Sequence, residues 1–170
     1  MMKHIYLAGP GVFYPDPVAE GHRLKKLCSA FGLEGVFPMD AGLDLSQYSK
    51  QAGARAIYDA NINLIQSCDG IIADMQPFRG PGMDGGTAFE MGFAKALGLP
   101  VVGYGSTDTY LERTRQFYGG LHRVGADEVD DTGLMVEDFD LPDNLMMACA
   151  PEVVVATEEE ALAWFKRHFE

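Results

Sequence analysis

Glu90 is conspicuous because of where it stands. From Thr87 to Leu97 only Glu90 and Lys95 are charged, a pattern that predicts a helix apolar nearly all round and therefore buried. A carboxylate in its first turn has two readings. Thr87-Ala88-Phe89-Glu90 fits a Thr-x-x-Glu capping box, in which Thr87 caps the amide at N3 and Glu90 reaches back to the Thr87 amide. In the other reading Glu90 is catalytic, since Asp84 lies six residues earlier, Asp74 ends the preceding strand, and a glycine-rich loop joins them. The positive end of a helix favours the ionised form of a carboxylate placed there. Both readings stand on the local sequence.

These residues need elements to position them. Ile71-Ile72-Ala73 predicts a buried parallel strand ending at Asp74. The following loop, Gln76 to Gly86, holds two prolines and four glycines, so its backbone tolerates turns and close approaches. Lys3 to Ala8 predicts the first strand, with Tyr6 near its carboxyl end and Gly9-Pro10-Gly11 after it. A helix is expected from about Val18 to Phe31 and a second strand at Val36-Phe37-Pro38. Ala41 to Gly53 reads as a loop or lid in which Asp44, Gln47 and Tyr48 each read first as solvated, with ligand contact as the alternative. Ala54 to Cys68 predicts a helix whose apolar stripe includes Asn61, an amide expected to be a satisfied core hydrogen bonder.

Val101 to Tyr104 predicts a fourth strand, and Ser106 to His122 a partly helical surface insertion. Asp127 to Asp131 reads as an acidic turn, Leu141 to Met147 as a helical stretch capped by Asp143 or Asn144, and Glu152 to Ala156 as a fifth strand. Thr157 to Glu160 opens a last helix with acids suited to its dipole. Strands alternating with helices predict an α/β fold, one domain over 1–170. The expected sheet is five-stranded, parallel, doubly wound and flavodoxin- or Rossmann-like, in the order 2-1-3-4-5. That order brings Tyr6, Gly9, Asp74, the Pro77 to Gly86 loop and Glu90 to one switch point.

At 170 residues, 47% hydrophobic and 22% charged, the chain has the composition of a globular domain. Its net charge of −12 argues against a nucleic-acid polymer as partner and leaves a small ligand open. Cys28, Cys68 and Cys149 lack metal-type spacing and read as reduced core thiols of a cytoplasmic protein. Neither an amino-terminal signal nor a bilayer-spanning segment is visible, so no membrane partner is expected. Neither a metal nor another cofactor is required.

The motifs Tyr6-Leu7-Ala8-Gly9-Pro10, Phe13, Pro15-Asp16, Asn61-x7-Asp69, Ile72-Ala73-Asp74, Pro77-Phe78-Arg79-Gly80, Asp84-x-Gly86-Thr87-Ala88-Phe89-Glu90 and Pro142-x-Asn144-Leu145-Met146 occur in that order along nearly the whole chain. Together they resemble the nucleoside 2-deoxyribosyltransferase family. The resemblance implies a cytoplasmic enzyme of nucleotide salvage that moves 2-deoxyribose between nucleobases, with Glu90 as nucleophile, Tyr6 orienting it, and Asp84 and Asn144 holding the sugar. It implies deoxynucleosides and free bases as ligands and a homo-oligomer in which Asn144 serves a neighbouring subunit's site. Gly9, Phe13, Asp74, Pro77, Phe78, Arg79, Gly86 and Met146 fall in the matching motifs and are further substrate-binding candidates. A base-contacting aspartate of some members falls at Asn61, which leaves the donor of the leaving base's proton open, with Asp74 and Asp69 as lower-ranked substitutes.

The same residues partly resemble the PGGxGTxxE loop of phosphoribohydrolases over Pro81 to Glu90, although Gly9-Pro10-Gly11 is a poor version of their phosphate loop. That resemblance implies hydrolysis of a nucleoside or nucleoside 5-monophosphate, with Arg79 as a phosphate ligand or a loop brace. A binding module without chemistry is the third expectation.

Overall fold

The computed structural model describes residues 2–105 and 108–170. Ser106 and Thr107, the first residues of the expected 106–122 insertion, lie outside the described residues. Along the chain come β1 (Lys3–Ala8), α1 (Pro17–Ala30), β2 (Leu33–Val36), α2 (Lys50–Gln66), β3 (Gly70–Asp74), α3 (Gly85–Ala96) and β4 (Val101–Tyr104). Next are α4 (Tyr110–Tyr118), an antiparallel hairpin of β5 (His122–Val124) and β6 (Asp127–Val129), the short α5 (Leu145–Ala148), β7 (Val153–Val155) and α6 (Glu158–Phe169). The large sheet is parallel throughout and ordered β2-β1-β3-β4-β7. This is the expected order 2-1-3-4-5 once the two hairpin strands are set aside.

Side chains alternate across a strand, and here the alternation builds two cores. Ile5, Leu7, Ile72, Val102 and Tyr104 pack with Leu24 and Cys28 of α1 and Leu162 and Phe165 of α6. Tyr6, Ala8, Ile71, Ala73 and Val101 pack on the other face with Ile65 of α2, Cys68, and Met91 and Ala94 of α3. All five residues of β3 and all four of β4 are buried, as a sheet covered on both faces requires. Burial pushes the Cys28 and Cys68 thiols up to about 12, as suits inert core residues, whereas Cys149 is exposed rather than in the core.

Several expectations shift. The second strand lies earlier than Val36 to Pro38, because Pro38 cannot donate to a ladder and opens a 3-10 turn, while Phe37 turns inward. The expected surface insertion contains α4, with Arg113 and Thr114 buried. The acidic turn at 127–131 contributes β6 to the hairpin. The helix carrying Glu90 is not buried all round: Phe89 is 51% exposed and Leu97 43%. No helix among the described residues is long and apolar enough to cross a membrane.

Candidate active site

The start of α3 decides which reading of Glu90 holds. The helix begins two residues earlier than expected, at Gly85, and its N-cap is Asp84. Asp84 Oδ2 accepts from the Thr87 amide at 2.8 Å and from the Thr87 hydroxyl at 2.8 Å. Asp84 and Thr87 therefore occupy the cap and N3 positions, which moves Glu90 into the second turn, beyond the reach of a capping box. The carboxylate is free to turn elsewhere.

It turns to β1. Tyr6 Oη donates to Glu90 Oε1 at 2.7 Å, and among the described residues Tyr6 is the side chain that bonds this carboxylate. Burial, then the neighbouring negative charge of Glu90, pushes the Tyr6 phenol far up, so it stays protonated and acts as a donor. Burial likewise raises Glu90, from 4.5 to about 7, opposed by the Tyr6 hydrogen bond and reinforced by the negative charge of Asp84. A carboxylate poised near neutrality in a cleft fits a group that reacts.

Glu90 opens on a cavity of about 590 Å³. Asp84, Gly86, Thr87 and Glu90 come from the start of α3, Ile57 and Asn61 from one face of α2, and Gly9, Val12 and Phe13 from the turn after β1. The far wall is Pro38, Met39, Ala41, Gly42, Leu43 and Leu45. Gly9 is required by close approach: a Cβ there would sit 2.9 Å from Asp74 Cβ, where β1 and β3 come together. Asn61 is not the satisfied core amide expected of it, because its Oδ1 is buried without a hydrogen-bond partner among the described residues.

The candidates thus separate. Glu90, Asp84, Gly86, Asn61, Gly9 and Phe13 meet around the cavity, and Tyr6 reaches it through Glu90. Phe78 stacks on Phe13 with ring centroids 5.5 Å apart, and the Arg79 guanidinium lies 4.6 Å from the Phe78 ring and 5.2 Å from that of Phe13. Arg79, at φ 56°, holds a left-handed conformation unusual for arginine, and neither it nor Pro77 or Phe78 is among the cavity's lining residues. Asp74 follows Ala73 by one residue and so faces the opposite core, where its carboxylate accepts from the Gln76 amide at 3.0 Å and burial raises it. Asp69 sits at the amino end of β3, bonded to Lys3 and to the His4 amide.

Asn144 caps α5, its Nδ2 donating to Glu137 and its Oδ1 accepting from the Met146 amide at 3.1 Å; neither it nor Met146, 73% exposed, lines this chain's cavity. The expected 41–53 loop ends at Ser49, which caps α2, and Asp44, Gln47 and Tyr48 are not among the cavity's lining residues. Asp44 Oδ1 accepts from the Ser46 amide at 2.9 Å, while the apolar neighbours Leu43 and Leu45 line the cavity. Sequence reasoning missed Met39, Leu43, Leu45 and Ile57. The signal that could have found the leucines is the spacing of two around a local Asp-x-Ser turn.

The family described as Nucleoside 2-deoxyribosyltransferase matches residues 5–146. The chain is similar to the solved 2-desoxiribosyltransferase from Leishmania mexicana, 36% identical over 99% of each chain with a TM-score of 0.78. A conserved protein from Enterococcus faecalis V583 shares the fold at 21% identity and a TM-score of 0.61, again over 99% of each chain. Uncharacterized protein C191.05c of Schizosaccharomyces pombe is 36% identical over 117 residues. That match takes in 66% of this chain and 55% of the yeast protein, so it spans about half the length of that curated relative.

Proposed function

The chain belongs to the nucleoside 2-deoxyribosyltransferase family, and from that premise we propose that it transfers 2-deoxyribose between nucleobases through an ester on Glu90. A Glu90 oxygen attacks the anomeric carbon as the bond from that carbon to the base nitrogen breaks. The departing base keeps the electron pair and takes up a proton. A nitrogen of the second base then attacks the same carbon, the ester oxygen leaves with its pair to restore the carboxylate, and the incoming base loses its proton. Two inversions give net retention. The observation that carries this reading is a partly buried carboxylate facing a cavity of about 590 Å³ and oriented by a tyrosine hydroxyl rather than by its own helix. Tyr6 occupies Oε1, which leaves Oε2 for the attack.

In this reading Asp84 holds the sugar and Asn61 hydrogen-bonds the edge of a base, which is supported by its Oδ1, an unpaired acceptor of the kind a ligand satisfies. An amide cannot serve as the acid, so in this reading the leaving base takes its proton from solvent. None of the lining residues is lysine or arginine, which favours an uncharged nucleoside over a 5-monophosphate. Asn144 and Met146, turned away from their own cavity, would complete that of a second copy. The exposed rings of Tyr58 and Phe89, with the partly buried Phe93 stacked beside them, give such a copy an apolar face to cover. In this reading residues 1–170 act as one domain of a cytoplasmic homo-oligomer in nucleotide salvage.

The test is incubation of a deoxynucleoside with and without a second free base, following both bases and free sugar. Base exchange supports transfer, sugar release alone supports the hydrolase, and silence the binding module. Rapid denaturation during turnover should leave the mass of one deoxyribosyl group on the peptide containing Glu90.

A further inference from the structure

The loop between β3 and α3 leaves the sheet at Met75 and returns at Met83, one residue before Asp84. A single buried ion pair holds both ends. Arg113 of α4 and Asp143, ahead of α5, have side chains 3% and 0% exposed and meet Nη2 to Oδ2 at 3.0 Å. The same Oδ2 accepts from the Met83 amide at 2.9 Å, and Arg113 Nη1 donates to the Met75 carbonyl at 3.4 Å. Asp143 Oδ1 takes the Asn144 amide at 2.8 Å. One pair therefore touches the exit and return of the loop and the residue that opens α5.

Stability is a poor explanation for it. A buried ion pair gains little over an apolar pair of the same volume, and this one leaves Arg113 Nε buried without a partner. What the pair does control is placement. Beyond Met83 lies Asp84 on the cavity wall, and within the loop Phe78 supports Phe13, which lines the same cavity. A shift of the loop moves the Asp84 carboxylate and the aromatic wall together.

We propose that Arg113 and Asp143 are positioning residues, which fix the 75–83 loop so that Asp84 holds the sugar while the Phe13–Phe78 wall holds the acceptor base against the anomeric carbon and keeps water from it. The proposal rests on the deoxyribosyl-transfer reading. The second half of the reaction is a competition between a bound base and water, and small losses of orientation weigh heavily on the bound reactant. Loosening the loop therefore changes the fate of the ester more than its formation.

The experiment compares the protein with Arg113→Met/Asp143→Asn, which removes both charges at once so that neither is left buried alone. A deoxynucleoside and a second base are supplied, and exchanged nucleoside is divided by free deoxyribose. This ratio does not depend on how much of the protein is folded. It should fall about tenfold, with a raised KM for the acceptor base. An unchanged ratio, whether total turnover drops or not, means the pair only holds the fold and overturns the proposal. Should the double variant not fold, Arg113→Lys keeps the charge and loses the fork, and the same ratio decides. If the unaltered protein exchanges no base, the transfer reading itself fails and takes this proposal with it. Exchange with an unchanged ratio in the variants sinks the proposal alone.

Discussion

Two carboxylates, Asp74 buried and Glu90 partly buried, stand at the carboxyl edge of the same sheet, on opposite faces. Glu90 and Asp74 are both raised by burial, and each accepts one principal hydrogen bond. Their surroundings differ. Glu90 opens on the large cavity, and its donor is a side chain that holds one oxygen. Asp74 is packed against Gly9 and bonded to the backbone of Gln76, two residues on, with the negative charges of Glu158 and Glu20 adding to its shift. Burial makes a carboxylate basic. Space in front of it is what makes it a candidate for chemistry.

The sharpest test replaces each carboxylate by its amide. Glu90→Gln should lower kcat by about 1000-fold or more, as loss of a nucleophile does, while Asp74→Asn should stay within about threefold of the parent in a steady-state base-exchange assay. Comparable losses in both would erase the distinction between the two faces. Tyr6→Phe comes next. It removes the donor and keeps the ring, and should cost about 10- to 100-fold in kcat with circular dichroism unchanged.

Acidity sharpens the comparison in two opposed directions. A nucleophile must be ionised, so kcat/KM should rise with pH and level off above about 7, the value to which Glu90 is pushed. Folding runs the other way. Below 4.5 the carboxyl is neutral in both folded and unfolded chains, and between 4.5 and about 7 the folded protein holds the extra proton, so this residue's contribution to stability declines as pH rises. Glu90→Gln should therefore be more stable than the parent by up to about 3 kcal/mol at pH 8, measured by urea unfolding, with the difference vanishing at pH 4. A difference independent of pH would show that Glu90 is not the titrating group.

The centre of the molecule was legible in the sequence because its patterns are strong. The apolar runs of β1 and β3 and the Asp84-to-Glu90 motif predict the strand order and the meeting of Tyr6, Gly9, Asp84 and Glu90, although not the turning away of Asp74. Less legible was the helix start, because Asp84-Gly85-Gly86 reads as loop until the aspartate is seen to cap the Thr87 amide. Asn61 looked like a core residue since one strip of α2 both packs on the sheet and borders the cavity. The Arg113–Asp143 pair joins residues thirty apart across a polar segment, and no local period marks such a contact. The exposed Phe89 beside Glu90 followed from a helix with apolar residues on every side, a pattern that does not say which side meets the protein's own core.

The contact between Gly9 and Asp74 carries a practical consequence for anyone reshaping what this protein accepts. A larger residue at position 9 must prise two paired strands apart before it can alter the pocket, so that position offers no gradual path. Met39, Leu43 and Leu45 border the same space from outside the sheet ladder, and trimming or extending them leaves every strand pairing in place. Libraries aimed at bulkier bases belong on that side.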